Sequence, residues 1–357
     1  MKKTIFKTII FITISIIISC ANEKSEVRLD EKERLQIYDM RYLIADNGEY
    51  LNVILEENSK NVFIDYKFYT NQSIDMFEFN TEIDNGYISA EVINDNGIAT
   101  MTGNLSDAGF NGKIDDREIN FVDANSPISG AKVVRYTYTN VSPEDASEED
   151  KKTFEYYSSI FLLNNDKKLA SIDKINLDIN SDMTSDKLDI NKLSDIKNIL
   201  SNDMLSYHND WVESEYPNYA SIFQYRIDYL SEKIASINRY YYLYIGGAHG
   251  IHGNIPKVYS LSDGKRLKIE DILIDVNDSN LINKVKEKLL SIRNEEDYFN
   301  LDEISLQENN FHITSKGLVF TWGVYEIGPY AMGYSEVLFS IDEIMPYLKD
   351  EYKSIFE

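Results

Sequence analysis

Two short segments of the chain carry the residue types that do chemistry. Gly246-Gly247-Ala248-His249-Gly250 places one imidazole among three glycines. Glycine permits positive φ and close backbone approach, and such a loop can turn successive N–H groups toward an anion. It lacks the G-x-G-x-x-G spacing and the P-loop Lys-Ser/Thr, so nucleotide binding is not indicated. His249 is a candidate to orient a ligand, to move a proton or to tie down its own loop. The second segment is Tyr325-Glu326-Ile327-Gly328-Pro329-Tyr330-Ala331-Met332-Gly333. Tyr325 and Tyr330 offer large contact area with a hydrogen-bonding tip. Glu326 is a candidate carboxylate partner for His249. Gly246, Gly247, His249, Gly250, Tyr325, Glu326 and Tyr330 are therefore the candidate binding residues. The plain alternative is a pair of shaped loops whose glycines, proline and rings serve packing.

Other chemistry finds little support. His249 and His252 are two residues apart, but zinc needs a third and usually a fourth ligand. His208 and His312 fall on an expected helix and hairpin without paired ligand spacing. Asp275-Val276-Asn277-Asp278-Ser279-Asn280 starts like a calcium loop. It has Asn280 where glycine belongs and Lys286 where the bidentate glutamate belongs. It reads as a solvated turn, and no metal or other cofactor is expected. No G-x-S-x-G elbow, S-x-x-K set or H-E-x-x-H is present. A general acid–base carboxylate pair is not assignable, because 60 Asp+Glu make any single pair uninformative.

The chain has 357 residues, 36 Lys+Arg and a formal net charge of −24. Nucleic acid is not expected as a partner, since binding it needs a basic face. The one cysteine, Cys20, excludes a disulfide scaffold. It ends a segment with a basic start (Lys2, Lys3, Lys7), an apolar run from Ile5 to Ile18, and Ser19. Those are the parts of a secretory signal, and the run is shorter than the ~20 residues of a comfortable bilayer span. Ile17-Ile18-Ser19-Cys20 resembles the lipobox of bacterial lipoproteins, with Ile17 in place of the commoner leucine. The resemblance implies that residues 1–19 are cleaved and that Cys20 is acylated. Cleavage would remove the three lysines and no acid, leaving 33 Lys+Arg against 60 Asp+Glu, a net of −27. Lipid chains would then hold an acidic extracytoplasmic body on a membrane.

The elements that must position the loops are legible from periodicity. Residues 20–39 read as a polar tether, with a helix start at Glu31–Leu35. Residues 40–125 read as a β-rich accessory domain. Alternation at Val62–Phe68 and Ile88–Val92, with turn cues at Asn85-Gly86, Asn96-Gly97, Ala108-Gly109 and Asn111-Gly112, supports this. A strand is expected at 132–138. The Ser142-Pro143-Glu144-Asp145 capping pattern predicts a helix over 142–158. A longer helix is expected at 188–212, and two strands over 223–244 with Arg226 and Asp228 on the polar face. A helix at 281–292, a hairpin at 311–323 and a strand at 336–340 complete the set. The expected class is α+β: a small all-β domain, then an α/β unit whose mixed or antiparallel sheet is flanked by helices.

Three segments in the last third carry a resemblance: Tyr244–Gly250; Val258–Leu267 with Ile269–Leu273; and Gly317–Phe320 with Tyr325–Gly333. Their order and spacing resemble the domain-of-unknown-function family 3298 (DUF3298), the RsiV-type C-terminal domain, over residues 245–348. Residues 132–243 resemble, more weakly, the PdaC-type (DUF4163-like) domain, through Ile175-Asn176, the helix near 190–212 and the paired strands ending at Tyr244. The first 125 residues are not covered. The resemblance implies an envelope protein, and one branch of the family is an anti-sigma factor that binds lysozyme. With only a lipoprotein signal ahead of the body, sigma regulation is not expected. The expectation is a non-enzymatic lipoprotein facing the periplasm or cell exterior. It would bind a basic, lysozyme-like protein or a peptidoglycan ligand. The alternatives are a glycan-modifying envelope enzyme and a structural envelope component.

Overall fold

Aromatic and β-branched residues at alternate positions dominate the first half of the chain, and strands follow from them. The computed structural model describes residues 30–69, 74–94, 97–142, 151–183, 192–214, 216–299 and 301–356. Cys20 and the signal segment lie outside the described residues. The first ten strands are β1 (Asp30–Ile44), β2 (Tyr50–Glu56), β3 (Asn61–Tyr69), β4 (Ile74–Glu82), β5 (Tyr87–Asn94), β6 (Gly97–Ser106), β7 (Gly109–Ile114), β8 (Arg117–Asp123), β9 (Ala131–Val141) and β10 (Thr153–Leu163). Then come α1 (Ala170–Ile179), α2 (Leu193–Glu213), β11 (Asn218–Leu230), β12 (Ile234–Tyr244), β13 (Ile251–Ser260) and β14 (Arg266–Leu267). The last elements are α3 (Ile269–Ile272), α4 (Ser279–Ile292), β15 (Phe311–Thr314), β16 (Gly317–Trp322), β17 (Ser335–Ser340) and α5 (Ile341–Ile344). The class is α+β, as expected.

Strands β1 to β8 form a meander that closes on itself. Leu43 and Ile44 of β1 pair with Asp123 and Val122 of β8. The interior is filled by Leu51, Val53, Ile64, Phe79, Met101 and Phe110, among others. Asn85 and Gly86 both take positive φ, 51° and 85°, in the turn between β4 and β5, as a two-residue type I′ connection demands. Beyond that turn the two strands share no backbone ladder among the described residues; the Asp84–Tyr87 bridge and the Thr81 hydroxyl, which donates to Ser89 C=O at 2.9 Å, link them near the turn. The barrel therefore has one open seam. Asn111-Gly112 is not a turn; it lies inside β7, opposite Asn104-Gly103.

The helix start expected at Glu31–Leu35 is overturned, since that segment is strand. Asp30–Met40 pairs antiparallel with β9, while Tyr38–Ile44 pairs with β2. One 15-residue strand thus runs from the central sheet into the barrel. The two regions also share a core, in which Tyr42, Tyr50 and Ile54 of the barrel pack with Val133, Phe161, Ile227 and Ile237. The helix expected over 142–158 is likewise overturned in its described part. Residues 153–158 begin β10, where Phe154, Tyr156 and Ser158 are buried and Thr153, Glu155 and Tyr157 between them less so. That two-residue period defeats the capping signal. Residues 143–150 lie outside the described residues.

The central sheet runs β14-β13-β12-β11-β10-β9-β1. β10 and β11 are parallel and pair only from Thr153 to Tyr157. Beyond Tyr157 they part, and α1 serves the exposed strand edge. The Asn180 side chain accepts from Phe161 N–H at 3.0 Å and donates to Phe161 C=O at 2.8 Å. One helical turn earlier, Asn176 does the same for Leu163, at 2.8 and 3.0 Å. Two asparagines four residues apart so replace a missing strand, leaving no orphaned buried amide there. Across the sheet, α2 packs Ile196, Ile199, Leu200 and Met204 against Val134, Tyr136, Tyr156 and Ile160.

The C-terminal part is a three-stranded antiparallel sheet, β15-β16-β17, packed on α4 through Leu281, Val285 and Leu289. The segment that starts like a calcium loop is the lead-in to α4. Asp278 accepts from the N–H groups of Asn280 and Leu281 at 2.9 and 3.0 Å, a capping interaction of about 1 kcal/mol.

Candidate functional site

The 246–250 loop joins β12 to β13, and the 325–333 loop joins β16 to β17. They come from different sheets and meet. The His249 ring stacks on Tyr330, with centroids 3.6 Å apart and planes 17° from parallel. Tyr330 Oη donates to Gly250 C=O at 2.6 Å. Tyr325 Oη lies 3.5 Å from His249 Nε2, and the Tyr325 and Tyr330 rings are 5.7 Å apart. His252, on β13, meets Tyr330 edge-on at 5.8 Å. The space between the loops is filled by rings, so the surface they present is a platform rather than a cleft.

The glycines make that contact feasible. A Cβ on Gly250 would lie 2.6 Å from the Tyr242 ring, and one on Gly246 would lie 2.1 Å from the Tyr216 ring. Gly246 also sits at φ 102°, in the region that side chains avoid. Gly247 has open space where a Cβ would project. Glu326 does not partner His249 among the described contacts. Its Oε2 accepts from Asn310 Nδ2 at 3.0 Å, and the hydroxyl facing the imidazole is that of Tyr325.

Tyr325 is unusual in a second way. It is a non-glycine residue at φ 69°, and the residue is 51% exposed. A left-handed conformation costs a bulky residue about 1–3 kcal/mol and persists where surrounding structure enforces it. Here the turn is closed by Glu326 N–H donating to Gly323 C=O at 3.1 Å. Phe299, 61% exposed, is tied to the same loop through its N–H to Ile327 C=O at 3.0 Å. Ile245 and Ile251, flanking the other loop, are exposed as well. Among the described residues no set of three metal-ligating side chains converges.

A second cluster escapes sequence reading altogether. β11 carries a bulge at Asp228: Ile227 pairs with Ile237 and Tyr229 with Ser236, leaving Asp228 unpaired between them. The bulge turns Asp228 into the junction of barrel, central sheet and C-terminal sheet, where it is 2% exposed. Its Oδ2 lies 2.8 Å from His312 Nδ1, off the N–H axis, so the contact is an ion pair rather than an aligned hydrogen bond. Tyr50 Oη donates to Asp228 Oδ1 at 3.0 Å, and Glu336 lies 3.6 Å from His312 Nε2. The buried Asn52 side chain spans the bulge, donating to Ile227 C=O at 2.9 Å and accepting from Ile227 N–H at 3.1 Å. Burial alone would push His312 down, but the Asp228 and Glu336 carboxylates lift it to about 9. Burial works against both carboxylates, and the His312 imidazolium holds each below its usual range.

Arg226, expected with Asp228 on the polar face of its strand, is also largely enclosed. It pairs with Asp65 at 3.2 Å and with Glu78 on the barrel. The polar face of β11 looks onto another polar wall, not onto water. The available signal was the barrel's own supply of Asp65, Glu78 and Tyr50.

Residues 270–342 match the family described as Protein of unknown function (DUF3298); the chain carries that domain in its C-terminal part. The matched stretch takes in the 325–333 loop and leaves the 246–250 loop just upstream. A DUF3298-family member from Bacteroides fragilis is similar in fold, with a TM-score of 0.52 at 17% identity, over 64% of this chain and 97% of that one. A DUF3298-family protein from Pseudomonas aeruginosa aligns at 17% identity over 61% of this chain and 94% of its own, with a TM-score of 0.41. No curated protein matches the chain.

Proposed function

We propose that this protein is a lipid-anchored, extracytoplasmic binding protein whose contact surface is built from the 246–250 and 325–333 loops. The single observation that carries the reading is Tyr325. A strained φ of 69° is maintained at a half-exposed residue whose ring lies 5.7 Å from that of Tyr330 and whose hydroxyl faces His249. Strain is retained where it serves a geometry that function needs, and an exposed, fixed tyrosine is a good contact residue because little side-chain entropy is left to lose. The stacked His249–Tyr330 pair gives this platform a rigid floor. The same filled contact suits a purely structural envelope component, but that reading leaves Tyr325 and Phe299 without a reason to be exposed.

The partner is a basic protein, of which a lysozyme-like enzyme is the leading type. A net charge of −27 after signal removal follows from the composition. Such a body steers cationic proteins toward it and speeds association at low salt. Calorimetric titration with a purified basic lysozyme at low and at physiological salt is the test. Saturable binding that weakens with salt supports the reading, whereas no saturation at physiological salt removes it. Membrane attachment through acylated Cys20, and the PdaC-type character of residues 132–243, belong to the same proposal. The Cys20→Ser variant is expected in the soluble fraction and without the acyl mass on its N-terminal peptide.

A further inference from the structure

The barrel lies outside the matched family segment, and one of its mouths is hollow among the described residues. A cavity of about 350 Å³ opens there, lined by Tyr66, Phe68, Phe77, Asp115, Asp116 and Arg117. Its volume falls at the small end of ligand sites, which run from ~300 to ~1,000 Å³ and favour barrel mouths. One wall is a ladder of rings. Tyr66 stacks on Phe68 at 5.3 Å, and Phe68 stacks on Phe77 at 5.3 Å with planes 13° apart. Phe68 and Phe77 sit at facing ends of β3 and β4, next to the seam where β4 and β5 share no backbone ladder among the described residues.

The charges around the mouth do not balance. Arg117 is already matched, because both its terminal nitrogens donate to Glu49, each at 2.7 Å. Tyr66 Oη donates to the same carboxylate at 2.7 Å. That leaves Asp115 and Asp116 in the β7–β8 turn. Asp115 Oδ1 accepts from Thr100 N–H at 2.9 Å, and Asp116 stands exposed at the rim. A ring-lined hollow whose edge carries two carboxylates without an ion pair among the described residues attracts positive charge, since aromatic faces and carboxylates both favour cations.

We propose that this mouth binds a small organic cation carrying an apolar or aromatic body, with the body against Phe68 and Phe77 and the charge toward Asp116. The probe is benzyltrimethylammonium, titrated calorimetrically into the full chain, with sodium benzoate and benzyl alcohol as ring-bearing controls of opposite and zero charge. The expected result is saturable 1:1 binding with a Kd on the order of 1 mM. Phe68→Ala is expected to weaken it about tenfold, and Asp116→Asn, on the surface and without effect on the melting temperature, about threefold. Benzoate is expected not to bind, and benzyl alcohol to bind more weakly than the cation. Absence of saturation, wild-type affinity in the Asp116→Asn variant, or equal affinity for benzyl alcohol would overturn the proposal.

Discussion

Two histidines of this chain sit among tyrosines and acids, and they do opposite things. His249 lies at the surface, stacked on Tyr330 at 3.6 Å, with a tyrosine hydroxyl beside its outer nitrogen. His312 is enclosed at the meeting point of three sheet regions, 2.8 Å from Asp228. Residue type does not separate them. Solvent does: in the enclosed cluster a charge must be paired or it is costly, whereas at the surface the same groups are free to meet something else. The buried cluster therefore governs stability, and the exposed one is available for recognition.

The largest expected effect comes from breaking the buried pair. Asp228→Ala leaves the His312 cation without its partner in an enclosed site and should cost about 3–5 kcal/mol in chemical denaturation. Next is pH. The folded His312 titrates at about 9 against an ordinary 6.5, so its contribution is complete below the ordinary value and is lost as pH rises through the folded one. About 3 kcal/mol should disappear between pH 6.5 and pH 9–10, and His312→Gln should remove that slope. The lowered Asp228 and Glu336 act at the other end, losing their contribution as pH falls through their folded values.

The exposed cluster should answer differently. Tyr330→Phe removes one hydrogen bond, to Gly250 C=O, and should cost about 1 kcal/mol. His249→Ala, at the surface, should stay within about 0.5 kcal/mol of wild type. A cost for His249→Ala comparable to that of Asp228→Ala in the same denaturation series would erase the distinction between the two clusters.

The sequence made one of these regions legible and hid the other. Both loops carry glycines, and the second adds a proline and two tyrosines, in runs that signal a shaped backbone; of the candidate residues, His249, Gly250, Tyr325 and Tyr330 come into contact, whereas Glu326 turns to Asn310. The α4 stripe of Leu281, Val285 and Leu289 and the β15–β16 hairpin were equally readable, because their periodicity is local. What failed was non-local. The charged segment Asp30–Arg34 looks helical or unstructured alone, and pairing with Thr137–Val141 makes it strand. Asp228 follows the strand alternation on paper, but a bulge and a second polar wall enclose it. Neither fact exists until the barrel is folded against the sheet.

Tyr325→Gly tests the division of labour most directly, because strain and contact predict opposite signs at one position. Glycine accepts φ 69° without penalty, so the variant should be as stable as wild type or more stable by up to about 1 kcal/mol. In a parallel titration with a purified basic lysozyme, its Kd should be at least about tenfold weaker than that of wild type. Equal affinity for the two proteins, or a loss of stability of several kcal/mol in the variant, would contradict the assignment of Tyr325 to recognition.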